Sequence, residues 1–215
     1  LFPLVSEMWI KKEFNKIRKG LDKLYTYSLL VVFPVTLILF LFPEVVLNVL
    51  FGEKFASASS VLRILSFAIV LQVLIKINNT FLISIDLPKY SAKYTIYGGI
   101  MNLGGNLLLI PVFGINGAAV STLLAFCFIL FCSTFKLSKS VNLRLNWFNY
   151  FKIIFAGFLL AVFISVTKRV LQTNVWLELF LVLTLGLLFY LFLIVKLKLV
   201  KIKEIKHIFK LLVSK

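Results

Sequence analysis

Six long apolar stretches, at 24–51, 60–85, 94–113, 115–135, 150–166 and 175–195, constrain this chain more than any other feature. Most reach or approach the ~20 residues with which a helix crosses ~30 Å of hydrocarbon. A buried helix of a soluble protein is seldom apolar on every face for that length, and six in series leave no amphipathic helix to cover the others. The overall balance agrees, since 61% of the residues are hydrophobic and the mean hydropathy of +1.03 excludes an ordinary soluble domain. Membrane-spanning strands would need alternating segments of ~10 residues, and none is visible. The expected fold is all-α, a polytopic membrane protein with about six transmembrane helices.

A net charge of +16 invites a nucleic-acid reading, so the placement of the 24 Lys and Arg residues matters more than their number. If the stretches alternate in direction, nineteen of the 24 fall on one side. They are Lys11 to Lys23 ahead of the first stretch, Lys89 and Lys93, Lys136 to Lys152, and the tail from Lys196 to Lys215. The opposite side holds Lys54, Lys168 and Arg169. That asymmetry places both termini in the cytoplasm of a multi-pass protein of the cell (cytoplasmic) membrane. Topology thus accounts for the charge, and no nucleic-acid partner is expected. Cys127 and Cys132 share one stretch and read as packing residues. No secretory signal precedes the first stretch, and Met8 is the first methionine, so Leu1 to Val5 reads as the end of a preceding span.

Two of the basic segments carry helical periodicity. Ile10, Phe14, Ile17, Leu21 and Leu24 recur at spacings of three and four, with the lysines largely on other faces. This predicts an interfacial helix leading into the first span, with Trp9 at headgroup level. Ile202, Ile205, Ile208, Phe209 and Leu212 repeat the pattern in the tail. Anionic lipids would favour both by about 1 kcal/mol per basic residue near the surface. The other reading is a lysine-rich signal that fixes topology without a folded helix.

Inside the stretches, the residues that break the apolar rule are the informative ones. Pro34 removes a backbone donor mid-helix, which gives either a fixed packing kink or a hinge. The second stretch is the most polar, with Arg63, Gln72, Lys76, Asn78 and Asn79. Arg63 is close enough to one end to snorkel. Lys76 lies ten residues from Asp86, so ~15 Å from that end and near mid-bilayer. A lysine there costs about 2.5–3.5 kcal/mol, which a lipid-facing position does not repay. Gln72 and Asn79 fall on the same helical face as Lys76 and turn one charge into a polar stripe. Glu44, Glu53, Asp86 and Glu178 all sit at or near span ends. The stripe therefore suits an anionic substrate, or else a carboxylate supplied by helices outside this chain.

The third and fourth stretches meet in the string Asn102-Leu-Gly-Gly-Asn106-Leu-Leu-Leu-Ile-Pro111-Val-Phe-Gly114-Ile-Asn-Gly117-Ala-Ala-Val-Ser-Thr122. The two asparagines stand one turn apart, and Gly98, Gly99, Gly104 and Gly105 allow close backbone approach. Pro111 is expected to end the span and Gly114 to make the turn, and Gly117, Ala118, Ser121 and Ala125 offer a small-residue face on the next.

The paired asparagines, the proline-glycine turn and the Gly-Ala-Ala segment resemble the multidrug/oligosaccharidyl-lipid/polysaccharide exporter superfamily. Its polysaccharide flippase branch, which exports O-antigen and capsule repeat units, is the most similar. Pro34 to Gly52 and the following Glu53-Lys-Phe55-Ala-Ser-Ala58 look like that branch's proline-bearing span and its Phe-Gly-x-x-Tyr-x-x-Ala signature, with Phe55 in the tyrosine place. The likeness covers residues 1–135, and the last two stretches match in hydropathy alone.

The resemblance implies a two-bundle exporter, of which this chain forms most of the C-terminal bundle. Residues 1–23 would be the end of a preceding span plus a cytoplasmic amphipathic helix, and 24–135 a four-helix part of that bundle. Residues 136–195 would be two additional transmembrane helices, and 196–215 a basic cytoplasmic tail. The implied function is translocation of polyprenyl-phosphate-linked oligosaccharide by alternating access, with Lys76 on the phosphate and Gln72, Asn79, Asn102 and Asn106 on sugar hydroxyls. Pro34, Pro111, Gly114 and Gly117 are then hinge or packing positions. The expected partners are the lipid-linked oligosaccharide, membrane lipids, and a missing N-terminal bundle or partner subunit.

A multidrug exporter of organic cations would want a carboxylate in mid-span, and a membrane glycosyltransferase would need acids, a histidine base or a metal cluster in a sizeable outer loop. The outer connections are short and the single histidine, His207, is in the tail. No cofactor, metal or catalytic residue is expected. A non-transporting partner subunit is the remaining alternative.

Overall fold

The computed structural model describes residues 2–142, 146–171, 175–197 and 199, with side chains left aside over 168–171 and 175–183. The periodic tail segment 202–212 lies outside the described residues. The helices are α1 (Phe2–Ile10), α2 (Phe14–Leu41), α3 (Pro43–Phe51), α4 (Ser59–Ser84), α5 (Pro88–Phe113), α6 (Ile115–Val141), α7 (Trp147–Leu171) and α8 (Val175–Lys196), with a 3-10 turn at Glu53–Ala58. Among the described residues there is no strand, and α2, α4, α5, α6 and α7 are long and apolar enough to cross a membrane. The protein is an all-α polytopic membrane protein. The sixth apolar stretch coincides with α8, whose 22 residues measure about 33 Å at 1.5 Å per residue.

The chain divides into two compact units, Leu1–Leu145 and Asn146–Lys215. In the first, α4 packs against α2 and α6 and more lightly against α1, α3 and α5, while α5 lies mainly along α6. The core follows from spacing. On α2, Ile17, Leu21 and Tyr25 repeat every fourth residue, and on α6 so do Ser121, Ala125, Ile129, Ser133 and Leu137. Such rows form the ridges that interlock between helices. Serine and alanine in the α6 row keep it thin, which lets α4 and α5 approach closely. In the second unit, Ile153, Ala156, Leu160 and Ile164 of α7 and Tyr190, Leu193 and Ile194 of α8 are buried. Gly186 lies against Leu160 and Ile164, and the rings of Phe163 and Phe189 stack with centroids 4.5 Å apart.

Two boundaries differ from the sequence expectation. The amphipathic run from Ile10 to Leu24 is split between two helices, because α1 stops at Ile10 and Lys12 takes a left-handed conformation with φ of 56°. Phe14 then starts a helix that runs straight into the first span, so Ile17 and Leu21 are the first turns of the α2 core ridge. The apolar stretch 24–51 is likewise two helices. Pro43 has no N–H to donate and occupies the first turn of α3, so α2 ends at Leu41. The Phe-Gly segment then reverses the chain through Gly52, at φ of 91°.

Candidate functional site

The polar stripe falls on α4, whose apolar surroundings make it a spanning helix despite its polar residues. Lys76 and Gln72 are both exposed within this chain, on the face of α4 that leaves Asn79 half-buried. Asn79 holds its Oδ1 buried without a hydrogen-bond partner. Among the described residues no carboxylate forms an ion pair with Lys76. Arg63 does have an acid within reach, Glu44 at 3.9 Å near the opposite end of α4. This agrees with an anchor at the membrane boundary.

The structure separates the five expected binding residues into two groups. Gln72, Lys76 and Asn79 share α4, whereas Asn102 and Asn106 belong to the α5–α6 contact. Asn102 Nδ2 donates to Thr122 Oγ1 at 3.0 Å, and its Oδ1 accepts from Asn106 Nδ2 at 3.1 Å. Ser121 Oγ donates to the Asn102 carbonyl at 2.8 Å. Both asparagines are half-buried, and Asn106 Oδ1 is buried with no partner. Asn102 thus joins α5 to α6, and Asn106 braces it from the next turn of the same helix.

The turn explains that register. Gly114 sits at φ 57°, ψ −139°, a region that favours glycine, and sends α6 back along α5 with no loop between. A Cβ on Gly117 would lie 2.3 Å from the Leu109 carbonyl oxygen, and one on Gly105 would lie 2.3 Å from Ser121 Oγ. These glycines stand where two backbones touch. Pro111 does not end the span as expected: α5 continues through it to Phe113 and closes at Gly114, whose N–H bonds to the Ile110 carbonyl. Pro111 is exposed, while Pro34 lies inside α2 and is buried.

Asn78, which sequence reasoning passed over in favour of Asn79, is the buried polar hub. Its side chain is fully inaccessible; Oδ1 accepts from the Tyr25 hydroxyl, and Nδ2 donates to Ser133 Oγ and Thr134 Oγ1, both at 2.9 Å. It thereby links α2, α4 and α6. A signal was present, since adjacent asparagines on a helix point ~100° apart and one of the pair has to leave the stripe.

At the lysine-rich ends, cations lie over aromatic rings. Lys136 Nζ is 3.8 Å from the Tyr90 ring centroid, Lys139 is 4.5 Å from that of Phe135, and Lys152 is 4.5 Å from that of Phe148. Lysines and aromatics in company are what a helix presents at the level of lipid headgroups. Arg18 Nε donates to the carbonyl of Val141, capping the last turn of α6.

The described helices form a membrane bundle whose most connected helix, α4, exposes a cation in mid-helix. The chain matches the family described as Lipid II flippase MurJ over residues 1–196, and it belongs to that family. It is also 31% identical over 215 residues to the uncharacterized membrane protein MJ1068 of Methanocaldococcus jannaschii, an alignment covering 100% of this chain and 42% of that protein. With the probable low-salt glycan biosynthesis flippase Agl15 of Haloferax volcanii it shares 30% identity over 195 residues, 88% of this chain and 40% of that protein. The chain thus spans about two-fifths of the length of these curated relatives.

Proposed function

We propose that the protein is a flippase that carries a lipid-linked oligosaccharide across the cytoplasmic membrane by alternating access, and that this chain supplies most of one of its two helical bundles. The single observation that carries the reading is Lys76, a cation exposed in mid-helix with Gln72 beside it and no acid paired to it among the described residues. A polyprenyl-linked sugar presents a phosphate that has to cross the same depth, and an intramembrane lysine facing a hydrated path offers it a counter-charge. In this reading Gln72 and Asn79, which flank that charge, bond sugar hydroxyls. Membership of a flippase family and likeness to a glycan biosynthesis flippase support the substrate class. Repeat units of a surface polysaccharide are the finer reading. The tight α5–α6 pair, with Asn102 and Asn106 inside it, then serves as a rigid wall of the bundle.

The test is made in cells that depend on the whole protein for surface glycan. Lys76→Leu should leave expression and membrane insertion intact and abolish the glycan, and Lys76→Arg should retain part of it. Normal glycan in the leucine variant would rule out the cationic site. Degradation of that variant would instead assign Lys76 to an ion pair with a helix outside this chain.

A further inference from the structure

Where α1 and α4 end side by side, an open cavity of about 610 Å³ lies between them, bounded by Phe2, Trp9, Ile10, Lys12, Ile83 and Asp86. The two helices are tied there, Ser6 Oγ donating to the Ser84 carbonyl at 3.1 Å. Both end in the same way. Lys12 N–H bonds to the Trp9 carbonyl and Glu13 N–H to that of Met8; Asp86 N–H bonds to Ile83 and Leu87 N–H to Leu82. This is the paired bonding that closes a helix on a left-handed residue, a place usually given to glycine. Here it holds a lysine at φ 56° and an aspartate at φ 61°. Two side-chain-bearing residues in that strained region, one of each charge, border one cavity. Both are exposed, and neither forms an ion pair with the other among the described residues.

The remaining wall sorts by chemistry. Trp9 and Phe14 meet edge to face with centroids 5.4 Å apart, an aromatic pair of the kind that sits at headgroup depth. Phe2, Ile10 and Ile83 are exposed apolar side chains. A ligand complementary to this wall carries one anionic and one cationic group close together and an apolar remainder. We propose that the cavity holds the headgroup of an amine-bearing phospholipid from the leaflet at which α1 and α4 end, its phosphate on Lys12 and its ammonium on Asp86. A primary ammonium donates hydrogen bonds to the aspartate, which a quaternary one cannot. An anionic headgroup without an amine satisfies Lys12 and leaves the aspartate facing like charge.

The experiment offers the protein, extracted as the full chain in mild detergent, equal amounts of phosphatidylethanolamine, phosphatidylcholine and phosphatidylglycerol with matched acyl chains, and reads the lipids retained by native mass spectrometry. Phosphatidylethanolamine should be retained about tenfold over phosphatidylcholine, the ratio that one charge-assisted hydrogen bond sustains. Asp86→Asn should erase that preference, and Lys12→Gln should lower phosphatidylethanolamine retention. Equal retention of the two zwitterionic lipids overturns the proposal, as does a preference that Asp86→Asn leaves untouched. Retention of one phosphatidylglycerol that is lost in Lys12→Gln and kept in Asp86→Asn also overturns it, and assigns the cavity to an anionic headgroup. Should either variant fail to fold, the wild-type ratio of the zwitterionic lipids decides.

Discussion

Asn78 and Asn79 are neighbours in sequence with opposite fates, and the difference is testable. Asn78→Leu removes the shared partner of Tyr25, Ser133 and Thr134, and Tyr25 and Ser133 are themselves buried. Interhelical hydrogen bonds in membranes average about 0.6 kcal/mol, and a buried group left unpaired raises the cost, so a loss of about 1–2 kcal/mol is expected. A thermal unfolding series in detergent should show it for Asn78→Leu and much less of it for Asn79→Leu, whose Oδ1 already lacks a partner. A polar residue in an apolar run shows in the sequence, but what it faces does not. Lys76 could be placed on a protein- or water-facing side from its charge and depth alone. Whether an asparagine meets a substrate or a threonine depends on the register of the next helix. That is why the hydrogen bonds of Asn102 to Thr122 and Ser121 of α6, and of Asn106 to Asn102, were not legible in the sequence.

Helix pairs show the same division between what hydropathy decides and what packing decides. The spans were legible because length and apolarity suffice for a membrane helix, whereas the breaks at Lys11–Glu13 and at Phe42 depend on single backbone conformations. Four glycines of α5 and one of α6 looked alike as small residues. The structure distinguishes them: Gly99 and Gly104 face open space, Gly98 meets the side chain of Ile129, Gly105 that of Ser121, and Gly117 the backbone of α5. Gly104→Ala is expected to be neutral or to gain up to about 1 kcal/mol from helix propensity. Gly117→Ala forces a methyl into a backbone that cannot yield, at about 1–3 kcal/mol. Midpoint shifts of opposite sign in one thermal assay would verify the register, and equal shifts would refute it.

For the whole molecule, the asymmetry of lysines predicts an orientation that single cysteines can read. In a background with Cys127 and Cys132 replaced by alanine, Ser57→Cys should react with an impermeant thiol reagent on intact cells, and Ser140→Cys should be protected until the membrane is opened. Labelling of residue 140 from outside would reverse the topology. A second expectation concerns the chain expressed by itself. With Lys76 and Gln72 exposed on α4, hydrocarbon gives that face no partner, so the chain should self-associate or co-purify with another membrane protein in mild detergent. A dispersed monomer that moves a fluorescent polyprenyl-linked sugar across liposomes would contradict the role of one bundle among two.

The turn at Gly114 also bears on how the chain enters a bilayer. One residue separates α5 from α6, so neither can settle in the membrane while the other waits outside it. Of the two, α5 is the poorer candidate to partition alone, being less apolar than α6 and carrying two asparagines in its middle. Arriving as a hairpin, α5 presents the Asn102 amide directly to Thr122 and the Asn102 carbonyl to Ser121, while the Asn106 amide bonds Asn102, so these groups enter the bilayer already bonded. The glycine is then a device of biosynthesis as much as of architecture, because it makes the less apolar helix a passenger of the more apolar one.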